Sequence, residues 1–209
     1  MQIVLATADD DLVRAWEKTC GNIENVKIHR CSIFEVKCDA IVSPTNSFGF
    51  MDGGLDLEIS EYFGSHVQKR LQKLIQTRHC GELLVGSAEV VDTDHDRVPY
   101  LIAAPIMRVP TILTETVNVY LATRAVLNLV KFGTLADGTP VKHIIETIAI
   151  PDMGTATGKV PPHICANQMK VALEEILLSQ YKFPESWLYA QKNHKLLYTI
   201  DAGDWPLKI

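Results

Sequence analysis

Short apolar runs alternate with longer amphipathic segments along this chain, and the two patterns predict strands and helices respectively. Apolar runs predict strands at 3–6, 26–29, 39–42, 83–91, 100–104, 143–150 and 195–200. Apolar side chains that recur every three or four positions predict helices at 9–21, 55–75, 116–129 and 164–178. Strands that alternate with helices in this way predict an α/β domain with helices on both faces of a mixed, mainly parallel sheet.

The composition is that of a folded domain and gives no strong signal for polynucleotide binding. The chain has 209 residues, of which 47% are hydrophobic and 22% are charged, and these values are close to globular averages. Its 20 basic and 25 acidic side chains give a net charge of −5, which argues against a protein that grips long nucleic acid by neutralising phosphates. A small anionic ligand held by backbone amides needs no excess of Lys or Arg and is compatible with this charge.

Other features predict a reduced cytoplasmic protein without a metal site or a membrane partner. The 5 cysteines form no C-x-x-C pair, and the 7 histidines never occur at H-x-x-x-H spacing. The N-terminus lacks a basic flank and turns acidic at 9–11, so it is not a secretory signal. The longest apolar run, 100–107, is interrupted by Pro105 and is too short to span a membrane. Met107 and the tryptophans are expected to pack in the core.

The first of two glycine-rich loops, 43–56, follows a predicted buried strand and enters a predicted helix. Ligands of such sheets bind at the carboxyl ends of strands, where these loops lie. The backbone N–H groups around Gly53 and Gly54 are expected to point outward at a helix N-terminus and to favour an anion or an oxygen-rich ligand. Asn46 and Asp56 bracket the loop with an amide and a carboxylate. The alternative is that both residues are purely structural, with Asn46 an ordinary turn residue and Asp56 a charge in the first turn of the helix.

The second glycine-rich loop, 150–161, also lies between a predicted strand and a predicted helix. Only three residues separate Gly154 from Gly158, and Val160 occupies the place of the magnesium-binding Ser or Thr of a Walker A loop. A nucleotide triphosphatase is therefore not predicted. Small residues and two hydroxyls between a strand and a helix are typical of a loop whose main-chain amides bind a phosphate. A tight structural turn is the alternative.

The two loops together resemble the signature of macro domains, most closely that of macro-like proteins of phages and bacteria. The resemblance rests on 39–46 followed by 53–56, on 81–88, on 100–105, and on 150–158. It covers about 1–179 in order and spacing, so the chain is identified as a single macro-like domain over 1–209 with a three-layer α/β/α sandwich. Residues 180–209 are expected to form a C-terminal extension that completes or flanks the sheet.

This resemblance implies a cleft for ADP-ribose, no cofactor and no metal. The loop 154–158 would wrap the diphosphate, and Asn46 would contact a hydroxyl of the distal ribose. In hydrolytic relatives, the residues that match Asn46 and Asp56 position or activate the attacking water, so these two are the implied catalytic residues. The implied ligand-binding residues are Ser32, Ile33, Asn46, Gly53, Gly54, Leu55, Gly154, Thr155, Ala156, Thr157 and Gly158.

Three residues, Ser32, Ser43 and Ala156, differ from the usual macro-domain pattern. Ser32 stands where relatives often carry an Asp that recognises adenine, so it brings no charge to that contact. Ser43 replaces an Asn, and Ala156 replaces a Gly whose position would be strained if it needed a positive φ. Tyr198, on the last predicted strand, is the candidate for stacking on the adenine.

Three functions fit these observations. The chain could bind free ADP-ribose or an ADP-ribosylated macromolecule, or it could hydrolyse ADP-ribosyl modifications or a derivative such as ADP-ribose 1''-phosphate. It could also be a non-catalytic structural or interaction protein that keeps the fold. The glycines of both loops, with Asn46 and Asp56, favour binding of ADP-ribose or a related nucleotide diphosphate, with hydrolysis as a further capability.

Overall fold

The computed structural model describes residues 1–199, and its centre is one six-stranded sheet. The strands are β1 (Gln2–Thr7), β2 (Val26–Arg30), β3 (Ala40–Ser43), β4 (Glu89–Asp92), β5 (Tyr100–Ala103) and β6 (Thr147–Ile150). They lie in the order β2-β1-β6-β3-β5-β4, and every neighbouring pair is parallel except β4 with β5. The prediction of a mixed, mainly parallel sheet is confirmed.

Six α-helices accompany the sheet within the described residues. They are α1 (Asp10–Cys20), α2 (Gly54–Phe63), α3 (His66–Arg78), α4 (Asn118–Phe132), α5 (Pro162–Ile176) and α6 (Trp187–Leu196). One apolar cluster packs α1, α4 and α5 against one face of the sheet, and a second packs α2 and α3 against the other face. These two clusters make the three-layer α/β/α sandwich. Because both faces are covered, β1 and β3 are almost wholly buried and show no polar alternation.

Four predicted elements differ from the structure. The single helix predicted over 55–75 is two helices, because Gly64 adopts a φ of +102° that ends α2. Two strands, predicted at 83–91 and 143–150, are shorter than expected and form only β4 and β6. The strand predicted at 195–200 is wrong over its described part, since α6 and a turn follow one another there; Ile200 lies outside the described residues.

The expectation that Met107 and the tryptophans pack in the core is confirmed for two of these four side chains. Met107 and Trp16 are buried, as predicted. Trp187, in contrast, is 77% exposed at the start of α6, and Trp205 lies outside the described residues. None of the helices within 1–199 is long and apolar enough to cross a membrane.

The strand order places both glycine-rich loops at the same edge of the sheet. β3 and β6 are parallel neighbours, with Ala40 paired to Ile148 and Ile41 paired to Ala149. Both strands therefore end at the carboxyl edge. The loop after β3 leads to α2 on one face, and the loop after β6 leads to α5 on the other, so the two loops bracket this edge from opposite sides.

Candidate functional site

The side chain of Asn46 shapes the loop between β3 and α2. Its Oδ1 accepts hydrogen bonds from the amides of Phe48 (3.1 Å) and Phe50 (3.3 Å), and its Nδ2 donates to the carbonyl of Phe50 (2.8 Å). Such a ring of side-chain to backbone bonds fixes a turn. One of the two Nδ2 hydrogens is left for a ligand, because a side-chain amide can donate twice.

The glycines at the start of α2 leave its N-terminus open. Gly53 is the N-cap, and no side chain caps the helix. Within residues 1–199, the amides of Gly54, Leu55 and Asp56 donate to no acceptor. A Cβ on Gly53 or Gly54 would meet nothing within 4 Å, so there is room for another molecule against this backbone. Gly54 also has a φ of +56°, which favours glycine.

Asp56 lies in the first turn of α2 and is only 9% exposed. Its Oδ1 accepts a hydrogen bond from the hydroxyl of Ser43 at 2.5 Å, which ties the helix to the end of β3. Burial raises the pKa of Asp56 to about 6, and the nearby charge of Asp52 adds to that rise. The hydroxyls of Ser43 and Thr45 oppose it by stabilising the charged carboxylate.

The loop between β6 and α5 is anchored through the carbonyls of its glycines. The Gly154 carbonyl accepts from the amide of Val160 (3.1 Å), and the Gly158 carbonyl accepts from the amide of Leu113 (2.7 Å). A Cβ on Gly158 would lie 2.6 Å from the Gly154 oxygen, so no larger residue fits there without movement. The hydroxyl of Thr155 donates to Asp152 at 2.7 Å and closes the start of the loop.

Four consecutive amide groups in the middle of this loop, in contrast, are unpaired among the described residues. Among the residues that the structure describes, the N–H groups of 155–158 donate to no acceptor. Ala156 and Thr157 are exposed, and Gly154 and Lys159 are the loop residues with a positive φ, +86° and +56°. Ala156 is therefore not strained, and Lys159 takes the left-handed conformation instead. A run of unpaired amides between a strand and a helix is a nest for an anion.

The remaining candidates lie on other elements. Ser32 is exposed just after β2, and its amide donates to Glu35 Oε1 at 3.1 Å. Ile33 is buried and packs in the cluster under α2 and α3, so its side chain is part of the core. Tyr198 is half-buried beyond α6 and packs against the other cluster, with its ring edge-to-face on His194.

Sequence reasoning missed the loop between β5 and α4 as part of this edge. Leu113 packs against both glycines of the second loop, and the amide of Ser47 in the first loop donates to the carbonyl of Met107 at 3.1 Å. This loop therefore supports both glycine-rich loops. Its own sequence carries no glycine or paired carboxylate that could have marked it, and Pro110 is its clearest local signal of irregular structure.

Comparisons with known proteins agree with this fold. A family model described as a macro-like domain matches residues 7–198. An uncharacterized protein of Aquifex aeolicus is 33% identical over 152 residues, which are 73% of this chain and 81% of that protein.

Solved macrodomains share the architecture at low sequence identity. A glycine-to-valine mutant of the Oceanobacillus iheyensis macrodomain, solved with ADPR, superposes with a TM-score of 0.59 at 19% identity and covers 80% of this chain and 89% of its own. The macrodomain of Mycobacterium tuberculosis DarG gives a TM-score of 0.54 at 16% identity, over 69% of this chain and 87% of its own. With its sheet order, its two loops at one edge and the match over 7–198, this chain belongs to the macro-like domain family.

Proposed function

We propose that this protein binds ADP-ribose at the carboxyl edge of its sheet, with the diphosphate held by the loop 154–158. The observation that carries the proposal is the run of four amides at 155–158 that donate to no acceptor within residues 1–199, at the same sheet edge as the uncapped N-terminus of α2. Unpaired backbone N–H groups favour phosphate oxygens, and a helix N-terminus favours negative charge or hydroxyl oxygens. The Oceanobacillus iheyensis macrodomain, a structural neighbour, is a protein solved with this ligand.

The site residues divide between the parts of such a ligand. The amides of Thr155, Ala156, Thr157 and Gly158 face the diphosphate, and the open backbone at Gly53, Gly54 and Leu55 lies beside the distal ribose. The second Nδ2 hydrogen of Asn46 contacts a ribose hydroxyl. Ser32 and the backbone of Ile33, after β2, read the base, where the uncharged Ser32 gives weak selection for adenine.

Calorimetry with ADP-ribose tests the binding proposal. The wild type should bind with a dissociation constant on the order of micromolar, and Ala156→Glu should weaken binding at least about 100-fold, because a carboxylate would sit against the diphosphate. Ala156 is exposed, so this change leaves the fold intact. Ala136→Glu is the matched control, since Ala136 is also exposed but lies between α4 and β6, remote from the carboxyl edge.

Two results would contradict the binding proposal. One is the absence of binding by the wild type at millimolar ADP-ribose, which would favour a structural or interaction protein that keeps the fold. The other is equal affinity for the Ala156→Glu variant and the wild type, which would remove the second loop from the ligand site.

A second proposed activity is hydrolysis of an ADP-ribosyl derivative, supported by the buried carboxyl of Asp56. With a pKa near 6, this group is largely ionised at neutral pH yet basic enough to take a proton from water. The water oxygen would bond to the reacting carbon of the distal ribose as the bond to the leaving group breaks. Asp56 would hold the proton released by the water.

Single-turnover release of ADP-ribose from a mono-ADP-ribosylated protein tests this activity. Asp56→Asn should slow release at least about tenfold while the affinity for ADP-ribose stays within about twofold, because Asn keeps an acceptor for Ser43 but cannot take a proton. The wild-type rate should rise with pH through about 6, following deprotonation of Asp56. Equal rates for variant and wild type would exclude Asp56 from the chemistry without affecting the binding proposal.

A further inference from the structure

The backbone that continues β3 into the first glycine-rich loop carries a row of three buried hydroxyls. Ser43, Thr45 and Ser47 are each at most 1% exposed, whereas the two residues between them are half-buried. The carbonyls of Ser43 and Thr45 accept hydrogen bonds from the amides of Ala104 (3.0 Å) and Ile106 (3.1 Å), so this segment still runs beside the continuation of β5. Alternate side chains of extended backbone lie on the same side, so the three hydroxyls share one side of the segment.

The three hydroxyls differ in the hydrogen bonds that they form. Ser43 Oγ lies 2.5 Å from Asp56 Oδ1. Because an ionised carboxylate can only accept hydrogen bonds, the Ser43 hydroxyl is the donor when Asp56 is ionised. The hydroxyls of Thr45 and Ser47 have no hydrogen-bond partner among residues 1–199. A buried hydroxyl without a partner is unfavourable for stability, so its presence requires an explanation.

The Thr45 hydroxyl also acts on Asp56. Although it forms no hydrogen bond with the described residues, it lies close enough to the carboxyl to lower the pKa of Asp56, and Ser43 lowers that pKa more strongly. The charge of Asp52, in the same loop, raises the pKa instead. From α3, the uncharged Gln68 accepts a hydrogen bond from the backbone of this loop at 2.7 Å. Two neutral hydroxyls from the side of β3 therefore favour the ionised form of Asp56.

We propose that Ser43 and Thr45 are positioning residues for the hydrolysis proposed above, holding the Asp56 carboxylate ionised with Oδ1 against β3 and Oδ2 left for the attacking water. This inference rests on that second proposed activity. As the water oxygen bonds to the reacting carbon, the bond to the leaving group breaks and its electron pair stays on that group. The proton of the water passes to Oδ2, because Oδ1 already accepts from Ser43. Ser43 and Thr45 keep their own protons.

This arrangement sets the pH range in which Asp56 can accept a proton. A hydroxyl that donates to the ionised carboxylate stabilises the ionised form. Without that hydroxyl, the effect of burial is opposed less, and Asp56 loses its proton only at a higher pH. Loss of a positioning hydroxyl should therefore slow hydrolysis mainly at acidic pH. A general disturbance of the site would instead lower the rate at every pH.

A ¹³C NMR titration of the Asp56 carboxyl in the ligand-free full chain tests the positioning without relying on turnover, with Asp56→Asn identifying the resonance. The wild-type midpoint should lie at about 6. Ser43→Ala should raise it by at least about 1 pH unit, as loss of a hydrogen bond to a charged group does, and Thr45→Val should raise it less. Thr45→Ser keeps the hydroxyl and should keep the wild-type midpoint. Ser47→Ala is the matched control, because it removes an unpaired hydroxyl of the same row, and the midpoint should not change.

Single-turnover release of ADP-ribose from a mono-ADP-ribosylated protein tests the role of Ser43 in hydrolysis. Ser43→Ala should slow release about fivefold at pH 6 and less than about 1.5-fold at pH 8.5, as expected when a midpoint of about 6 rises by about 1 pH unit. Its affinity for ADP-ribose should stay within about twofold of the wild type. Ser47→Ala should match the wild-type rate at both pH values.

Three other outcomes would overturn the proposal, each in a different way. Equal NMR midpoints for Ser43→Ala and wild type would show that the hydroxyl does not hold the carboxylate, whatever the activity of the protein. A raised midpoint with the same slowing at both pH values would make Ser43 a structural residue only. A wild type that titrates as expected and binds ADP-ribose, but releases none from the modified protein, would overturn hydrolysis and the positioning role together and leave the binding proposal intact.

Discussion

The two glycine-rich loops look alike in sequence, but their polar groups are used in different ways. In the loop after β3, the side chain of Asn46 forms three hydrogen bonds with the loop backbone, and Asp56 is buried against Ser43. In the loop after β6, the carbonyls of Gly154 and Gly158 accept hydrogen bonds, whereas the amides of 155–158 donate to no acceptor within residues 1–199. The polar side chains of the first loop fix its own shape, and its unpaired amides within residues 1–199 include those of 54–56 at the start of α2. The second loop has a run of four consecutive amides, 155–158, that donate to no acceptor within the same residues.

This difference shows that glycine content alone does not identify a binding loop. Gly158 is required by packing, because its Cβ would collide with the Gly154 carbonyl at 2.6 Å. Gly53 is in extended backbone with a φ of −161°, which any residue adopts, and open space surrounds it. Packing within the protein explains why residue 158 is glycine. The open space around Gly53 instead leaves room for another molecule.

The largest expected effect concerns the carboxylate that the first loop buries. Above pH 6, Asp56→Asn should raise the free energy of unfolding by up to about 3 kcal/mol, because an uncharged amide avoids the cost of a buried carboxylate. Burial raises the pKa of Asp56 to about 6 from its ordinary value of 3.8, so the folded state holds this proton more tightly than the unfolded chain. The stability contributed by this group is therefore complete below pH 3.8 and is lost as the pH rises through 6.

Urea unfolding at two pH values measures this effect. The stability difference between Asp56→Asn and wild type should grow by about 2 kcal/mol between pH 4.5 and pH 7.5. Glu58→Gln is the control, because Glu58 is exposed on the same helix and should give no such growth. A stability difference that stays constant across this pH range would mean that burial does not raise the pKa of Asp56.

The contrast between the glycines gives the next largest effect. Gly158→Ala should cost about 1–3 kcal/mol of stability, since its methyl group must displace backbone. It should also weaken ADP-ribose binding, because the free amides move with the loop. Gly53→Ala should change stability by less than about 0.5 kcal/mol. Thermal unfolding and calorimetry on both variants test the pair, and equal stability losses would contradict the distinction between the two glycines.

The sheet and both loops could be predicted from sequence because their signals are local. Apolar runs stopped by Ser43-Pro44 and by Pro151 mark the ends of β3 and β6, and each is followed by glycine. The break between α2 and α3 was not predicted, because apolar residues keep a helical spacing across it, from Ile59 through Phe63 to Val67. Gly64 could interrupt or continue that pattern on sequence alone.

The rest of the site depends on contacts that no local pattern carries. Leu113 donates to the carbonyl of Gly158, far along the chain, and only the fold brings them together. The helix α6 was not predicted, because its apolar residues are consecutive at 187–190 and show no helical spacing. Asn46 was expected as a ligand contact, and its three bonds to its own loop follow from the turn that the loop makes.

Replacement of Asn46 measures how far the first loop depends on that side chain. Asn46→Ala should lower stability by about 1 kcal/mol, because the loop loses three hydrogen bonds to backbone groups that are exposed or half-buried. Hydrogen exchange should show faster exchange of the Phe48 and Phe50 amides. Ser47→Ala is the control, since the buried Ser47 hydroxyl has no partner within residues 1–199 and its removal should be neutral. If Asn46→Ala kept its stability but lost affinity for ADP-ribose, Asn46 would contact the ligand without supporting the loop.

The smallest expected effect tests whether the second loop binds phosphate mainly through its backbone amides or through the charge of Lys159. Lys159 is exposed, directly follows the free amides and has a φ of +56°, a conformation that Asn tolerates well. Lys159→Asn should leave stability within about 0.5 kcal/mol and weaken ADP-ribose binding only about twofold to fivefold, as for an exposed charge pair. That loss should vanish near 0.5 M salt, which screens exposed charges, while Lys142→Asn on the opposite edge should have no effect. A loss above about 100-fold would mean that the lysine, and not the row of amides, provides most of the phosphate affinity, and the contrast between the two loops would then rest on one side chain.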